Sequence, residues 1–542
     1  MKNKWLNEQK PLEIPVSTEY FAKVDEYIRK NINIYEVSRE ISSDSKKIVN
    51  ALIKNMVEQG FTEENVLSMR IIRSFGEIKI RLDFAGKAYN PTISDNAVLP
   101  EEDKILKAYE ENVDYRYSSG HNTIYVIVKR SYNLSLMRCF GSIVLAFLTY
   151  LLMRPFVSVE TMANLEEDIV YPLVKMFSNA ILMVGGPVTL FSLLKNLSDT
   201  YIASEKSSSV RKLQAKTFIT SAISIFLAIV SYAIVYYFLN KYIGYLSEYP
   251  KMEGSLFVSD VINSLIPSSI VEPFVTLNPF PMILAALLVT YSLCSVGKYF
   301  AYFKKIIDAG YALFSRMMNI VMYGMPVFCY FAFLTPMLTG GFEDLILVVE
   351  LVILINSTVL IICLYYLARL YVGGVKIGPF LKGLPALIRE NLRINSAVDA
   401  VPFNVRYCSK TYGYDRKRLT QNLRILAQIN LDGNCCMLMT DALILILLLG
   451  VSVPWYQMAV IIFLVFFLSM GAPNQPGTIL IGTLIIIYFL KADDLISMAV
   501  YLEVFLGSSQ NLVNVLGDIV TVAIEEQQYL KKNPQMERLV SH

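Results

Sequence analysis

From about residue 133 onward the chain is a succession of apolar runs, separated by short polar or charged breaks. Roughly 20 apolar residues span the hydrocarbon core as a helix, so such a chain is expected to fold as a polytopic membrane protein. Composition agrees: 54% of the 542 residues are hydrophobic and 18% charged, against about a quarter charged in soluble domains. A net charge of +3 is too small to imply nucleic acid as a partner. The seven cysteines show no zinc-like or disulfide-framework spacing and read as small hydrophobic residues. His121 and His542 are the two histidines, and both lie outside the apolar runs, so histidine-based metal or acid–base chemistry is not expected in the membrane. The opening "MKNKWLNEQKPLEIP" lacks the apolar core of a signal peptide.

Residues 1–132 read as a cytoplasmic α+β domain. Two helices are expected within 18–59, strands on either side of Ser74-Phe75-Gly76, and another strand in "NTIYVIVKR". Candidate spans follow at 135–153, 171–194, 217–239, 281–296, 317–338 and 344–370, then 435–450, 454–470, 478–490 and 495–524. Several late segments are too short to cross alone and are broken by motifs. Unwound backbone at membrane depth survives only where protein buries it or it lines a cavity, and paired broken segments point to a transporter binding site. The 154–170 loop has one Arg against four acids, whereas 195–216 and 371–394 are rich in Lys and Arg. Basic loops stay cytoplasmic, so the N-terminal domain and the tail, 531–542, are both expected on the cytoplasmic side of the cell membrane.

The last apolar helix, "YLEVFLGSSQNLVNVLGDIVTVAI", carries one polar stripe. At about 100° per residue, Glu503, Gln510, Asn511, Asn514 and Asp518 fall within an arc of about 100° around Gly507. Intramembrane ionisable residues are functional candidates by default; a hydrogen-bonded seam between helices is the alternative. "INLDGN", residues 429–434, sets two amides and a carboxylate around a glycine that lets backbone unwind, the oxygen chemistry a hard cation needs. For Asp432 the alternative is a helix cap. "RINSAVDAVPFN" (393–404) and "SMGAPNQPGT" (469–478) each read as the tip of a helical hairpin or as an ordinary loop.

Together and in this order, these elements resemble the dicarboxylate/amino acid:cation symporter family, the glutamate-transporter-like proteins. "INLDGN" is similar to its Asn-Met-Asp-Gly-Thr motif, "NVLGD" (514–518) to its Asn-Val-Thr-Gly-Asp, and "GAPNQPG" and "NSAVDAVPFN" to its two hairpin tips. "LIPSSIVEPFVTLNPFPMILAALLVTYSL", "VKMFSNAILMVGGPVTLFSLL" and "KTFITSAISIFLAIV" match earlier stretches, so the resemblance runs over roughly 135–527. It implies eight transmembrane helices and two re-entrant hairpins in 133–530. It also implies a homotrimer working by an elevator-type alternation, with sodium as the coupling ion and no organic cofactor. By the same resemblance Asn430, Asn514 and Asp518 fall on one sodium site, and Thr220, Ser221, Asn430 and Asp432 on another. Thr217 stands where the family often has Tyr, and the retained Asp518 favours sodium over protons.

The substrate positions depart from the family. Gly507 replaces its aspartate, Gln510 its arginine, and Asn434 and Asn511 two of its threonines. Ser396, Ala397 and Val398, followed by Asp399, replace its hairpin serines, Gly477 stands at the second tip, and Asn514 is retained. A dicarboxylate would meet no fixed positive charge there, and losing a bidentate cationic partner costs several kcal/mol, on the order of 3–5. Acidic amino acids are therefore disfavoured, and a small polar solute is expected, uncharged or with its charge met by Glu503 or Asp399. The N-terminal "GEIKIRLDFAGKAYNP" and "YRYSSGHNTIYVIVKR" resemble the strand pattern of histidine-kinase-like ATPase folds of the anti-sigma-factor type. The nucleotide-gripping motifs are missing, which implies a fold without ATPase activity; an unrelated α+β regulatory domain with a cytoplasmic partner is the alternative. The chain is thus expected to be a sodium-coupled symporter in the lipid bilayer and not an enzyme, with a transporter-like receptor signalling through its N-terminal domain as the competing reading.

Overall fold

A computed structural model describes residues 11–32, 39–74, 77–89, 91, 106, 113–118, 120–129, 133–206, 208–242, 266–269, 272–275, 278–296, 299–339, 343–394, 397–448, 453–471, 478–489 and 495–533. A few side chains within those stretches are left undescribed. The chain divides into two compact units, Met1–Leu134 and Ser135–His542.

In the first unit, alternating apolar residues build an antiparallel sheet. Its strands are β1 (Leu12–Pro15), β2 (Val66–Ser74), β3 (Glu77–Ala85), β4 (Val113–Ser118) and β5 (His121–Lys129), in the order β1-β2-β3-β5-β4. Met69 pairs with Leu82, Ile71 with Ile80, and Ile80 with Val126, so one face is continuously apolar. Two helices, α1 (Phe21–Ile32) and α2 (Arg39–Glu58), supply Val24, Ile28, Leu52 and Met56 to the same core. The two strands that the pattern does not announce, β1 and β4, are the sheet's edges. Edge strands are short or charged as a defence against pairing with other chains; "VDYRYS" does alternate Val113, Tyr115 and Tyr117 with Asp114, Arg116 and Ser118, and it is only six residues long.

Asn122, fully buried, is a hub of this unit. Its Oδ1 accepts from the Tyr89 N–H at 2.9 Å and the Tyr115 hydroxyl at 3.0 Å, and its Nδ2 donates to the Lys87 carbonyl at 2.9 Å. The Tyr89 hydroxyl in turn donates to Asn55 Oδ1 at 2.7 Å, and Asn50 Nδ2 donates to Asp25 Oδ1 at 3.2 Å. Both asparagines of "IVNALIKNMVEQG" are therefore engaged internally. Truncation of a buried hub leaves its partners unsatisfied, at about 1–3 kcal/mol per group. Asn122→Ala is expected to speed hydrogen exchange of the β5 amides in the full-length protein about tenfold or more; exchange at the wild-type rate would show that the hub is dispensable.

The second unit is helical: α3 (Asn133–Met153), α4 (Val159–Leu165), α5 (Tyr171–Lys206), α6 (Ser208–Tyr242), the short α7 (Glu272–Val275), α8 (Pro279–Ser295), α9 (Phe300–Met322), α10 (Met325–Thr339) and α11 (Glu343–Val372). Then come α12 (Ile377–Ile394), α13 (Ala397–Tyr412), α14 (Arg416–Ile429), α15 (Asp432–Leu448), α16 (Trp455–Gly471), α17 (Thr478–Phe489) and α18 (Ile496–Lys532). Among the described residues, four stretches are long and apolar enough to cross a bilayer: 159–202, 210–238, 351–372 and 416–448. The bent pair α9–α10 would make a fifth, and 138–153, 280–295, 455–471 and 478–487 are shorter apolar helices.

The structure corrects several boundaries. The segment 154–170 is not a simple loop: Ser158 caps α4 by accepting from the Thr161 N–H at 3.2 Å, and a π turn at 166–170 carries the helix into α5. The basic stretch 195–216 continues α5 and α6 rather than leaving them, and 377–394 within the second basic stretch is the amphipathic helix α12. The expected span 317–338 is broken and bends by 54° between α9 and α10. Pro326, in the first turn of α10, has no N–H to continue the α9 ladder. Most of α9 escapes a hydropathy reading because it carries Lys304, Lys305, Asp308 and Arg316, of which Lys304 pairs with both Asp199 and Asp308.

Candidate functional site

The helix that begins at Arg416 stops at Ile429 and restarts at Asp432. Asn430 adopts an extended conformation (φ −78°, ψ 121°) and its Oδ1 accepts from the Asp432 N–H at 3.1 Å. Asn430 is thus the residue that caps the restart, and the carboxylate of Asp432 is released for other partners. Its Oδ1 lies 2.9 Å from both Thr220 Oγ1 and Ser221 Oγ on α6, and its Oδ2 lies 2.9 Å from the Tyr366 hydroxyl on α11. Ser224, one turn further along α6, reaches the Asp432 carbonyl at 3.0 Å. All of these oxygens are buried, and the first turn of α15 adds its dipole in favour of negative charge at Asp432.

From the other side comes α18. Asn430 Nδ2 donates to the Asn514 carbonyl and to Asp518 Oδ1, both at 2.9 Å, and Asn514 Oδ1 accepts from the Gly433 N–H at 2.7 Å. The approach is close enough to exclude side chains. A Cβ on Gly433 would stand 2.0 Å from the Gln510 carbonyl oxygen, and one on Gly517 would stand 2.6 Å from the Tyr366 hydroxyl and 2.7 Å from Asn430 Nδ2. Of the two cation sets expected from the sequence, Asn430, Asn514 and Asp518 are together, and Thr220, Ser221 and Asp432 are together with Asn430 at the seam between them. The donor set is all oxygen with one carboxylate on each side, which fits a hard monovalent cation. Thr217 is turned away: its hydroxyl reaches the Leu213 and Gln214 carbonyls of its own helix.

The substrate positions are only partly joined. Gln510 Nε2 and Asn514 Nδ2 both donate to Asn434 Oδ1, the latter at 2.9 Å, and Asn434 Nδ2 donates to the Ser469 carbonyl at the end of α16 at 3.3 Å. This half of the α18 stripe is a helix–helix seam. Asn511 lies beside it, buried, its Nδ2 without a hydrogen-bond partner among the described residues. Glu503 faces elsewhere: its Oε2 accepts from the Leu480 N–H at 2.8 Å in the first turn of α17, and its carboxylate lies next to Gly507. Ala397 and Val398 open α13, which also carries Asp399, whose side chain is not described; Ser396 and Gly477 lie outside the described residues.

Sequence reasoning passed over two participants, Ser224 and Tyr366, and one further buried acid on α15, Asp441. Ser224 had a signal, since Thr217, Thr220, Ser221 and Ser224 recur at helical spacing on one face of α6. Asp441, an ionisable residue inside an apolar run, had one too. Tyr366 had none, being one tyrosine in an apolar span.

Apolar spans folded around a buried cluster of carboxylates, amides and hydroxyls, centred on an interrupted helix, define a polytopic membrane transporter. The model of the sodium:dicarboxylate symporter family matches residues 136–527. The chain belongs to that family, whose members are transporters and not enzymes. No curated protein matches the chain individually.

Proposed function

We propose that the protein is a sodium-coupled symporter of a small polar solute. The reading rests on one observation above the others: two buried carboxylates, Asp432 and Asp518, stand on opposite sides of Asn430, the first ringed by the hydroxyls of Thr220, Ser221 and Tyr366 and the second held by the Asn430 amide. Sodium is cargo here. Asp432 with Thr220, Ser221 and the phenol of Tyr366 would hold one ion, and Asp518 with Asn430 and Asn514 another. In this reading α12–α13 and α16–α17 are the two re-entrant hairpins and complete an eight-span fold. The assembly is a homotrimer in the cell membrane with cytoplasmic termini, and the hairpins move with α14, α15 and α18 in an elevator-type cycle.

The solute is not an acidic amino acid. None of the described substrate positions carries a cationic side chain, and Gln510 is engaged with Asn434. A neutral solute with hydrogen-bonding groups, able to replace one amide by another, fits this lining. The purified protein should melt at a higher temperature in sodium than in an equal concentration of potassium, since a ligand that binds only the folded state stabilises it by mass action. A solute screen should then yield hits whose effect requires sodium. Identical melting in both salts would overturn the coupling. The separately folded N-terminal unit supports the competing receptor reading. Removal of residues 1–130 distinguishes the two, because uptake of a solute found in the screen survives in a symporter with an accessory domain.

A further inference from the structure

The cation cluster and the amide seam leave one buried acid on α15 unused. Asp441 lies nine residues beyond Asp432, fully buried. Its Oδ1 has no hydrogen-bond partner among the described residues, and its Oδ2 lies 2.6 Å from Thr483 Oγ1 on α17. Thr483 Oγ1 is also 2.8 Å from the Ile479 carbonyl, one turn back on its own helix.

A hydroxyl has one hydrogen to give. If Thr483 gives it to Asp441, the Ile479 carbonyl loses that contact and an ionised carboxylate is left buried on a single hydrogen bond, which is costly. If Asp441 is protonated, the chain closes: Asp441 donates to Thr483, and Thr483 donates to Ile479. The surroundings select the second arrangement. The stretches alongside α15 at this level, 217–240 of α6, 351–368 of α11, 457–471 of α16 and 478–487 of α17, contain no Asp, Glu, Lys, Arg or His. Their titratable groups are tyrosines and Cys363. From α18 the charged group within electrostatic reach is Glu503, another acid, with the Cys329 thiol of α10 near it. Among the described residues no counter-ion is at hand for an ionised Asp441. Glu503 already serves the first turn of α17 through the Leu480 N–H, so both acids grip the same helix, one turn apart.

We propose that Asp441 and Thr483 form a proton-binding site of the transporter, separate from the Asp432–Asp518 cation cluster. The ligand is a hydron. The Asp441 carboxylate takes it from water, forming the O–H bond that points at Thr483, and returns it to water when the contact with α17 is wetted. The proton is then bound and released in the working cycle, in addition to any sodium.

Infrared difference spectroscopy of the full-length protein in lipid tests the occupancy. A protonated-carboxyl stretch sensitive to deuterium exchange is expected at neutral pH. It should be lost in Asp441→Asn, which keeps a donor for Thr483, shifted in Thr483→Val, and kept in Glu503→Gln. A band unchanged by Asp441→Asn in folded protein would overturn the site. Proton exchange is read from transient currents of proteoliposomes on a solid-supported membrane after a pH jump without sodium. Wild-type protein should give a current, and Asp441→Asn should lose it. A buried protonated acid with no pH-jump current would make Asp441 a structural residue and overturn the proposal. Neither readout depends on sodium, so a failed sodium assay leaves both intact.

Discussion

Asp432→Asn is expected to shift the sodium midpoint of thermal stabilisation upward by about 100-fold or more, while the protein still folds. The asparagine has the size of the aspartate and keeps one oxygen for the hydroxyls of Thr220 and Ser221, which now lie 2.9 Å from Asp432 Oδ1. What it removes is the negative charge, and in a dry cluster a bound cation has little else to neutralise it. The partner carboxylate, Asp518, belongs to the other side of Asn430 and cannot substitute across the seam. Tyr366→Phe should give a smaller loss, since a phenol oxygen contributes a dipole rather than a charge. A sodium midpoint in Asp432→Asn equal to wild type would remove Asp432 from the cation site and leave it a buried structural acid.

Gly433→Ala is expected to destabilise the protein by about 3 kcal/mol or more, against the sign that helix propensity gives. Alanine in a helix interior is favoured over glycine by about 1 kcal/mol, so a tolerant site would be stabilised. Here the new methyl would stand 2.0 Å from the Gln510 carbonyl oxygen and 2.9 Å from Asn514 Oδ1. Backbone cannot swing aside as a side-chain end can, so α15 and α18 must separate, and the 2.7 Å bond from the Gly433 N–H to Asn514 goes with them. Overpacking of this kind costs about 1–3 kcal/mol before the broken hydrogen bonds are added. Gly507→Ala is the comparison, because the atoms nearest its Cβ belong to the Glu503 carboxylate, a flexible end. Melting temperature and monodisperse yield of the two variants should diverge; a Gly433→Ala protein that melts at or above wild type would contradict the close approach of α15 to α18.

The membrane class and the family were legible because both are written in local pattern. Apolar length announces spans, and "INLDGN" and "NVLGD" place the same residue types at the same spacing as the family does. The strands of the N-terminal unit were legible where alternation is long, as in "GEIKIRLDF", and not at the edges, where β1 and β4 run only four and six residues. Partners brought in by tertiary packing were not legible. Tyr366 lies 66 residues before Asp432 in the chain and reaches it only because α11 packs against α15. The closed arrangement of Asn434 with Gln510 and Asn514 likewise depends on how closely α15 meets α18, which no single segment records. Helix α9 stayed hidden for a different reason, since it carries four charges, of which Lys304 pairs with Asp308 on the same helix and with Asp199 on α5.

The phenol of Tyr366 has a consequence of its own. It bonds Asp432 Oδ2 at 2.9 Å and also lies 3.2 Å from the Val513 carbonyl, so one hydroxyl on α11 touches both α15 and α18. Thr217, one turn before Thr220 on α6, takes no part, its hydroxyl being kept by its own helix. An aromatic oxygen reaches the carboxylate all the same, from a different helix. The carboxylate thus draws hydroxyls from two helices, Thr220 and Ser221 of α6 and Tyr366 of α11. Tyr366→Phe would therefore release α11 from both α15 and α18 at once, whereas loss of the Thr220 hydroxyl would leave that of Ser221 in place.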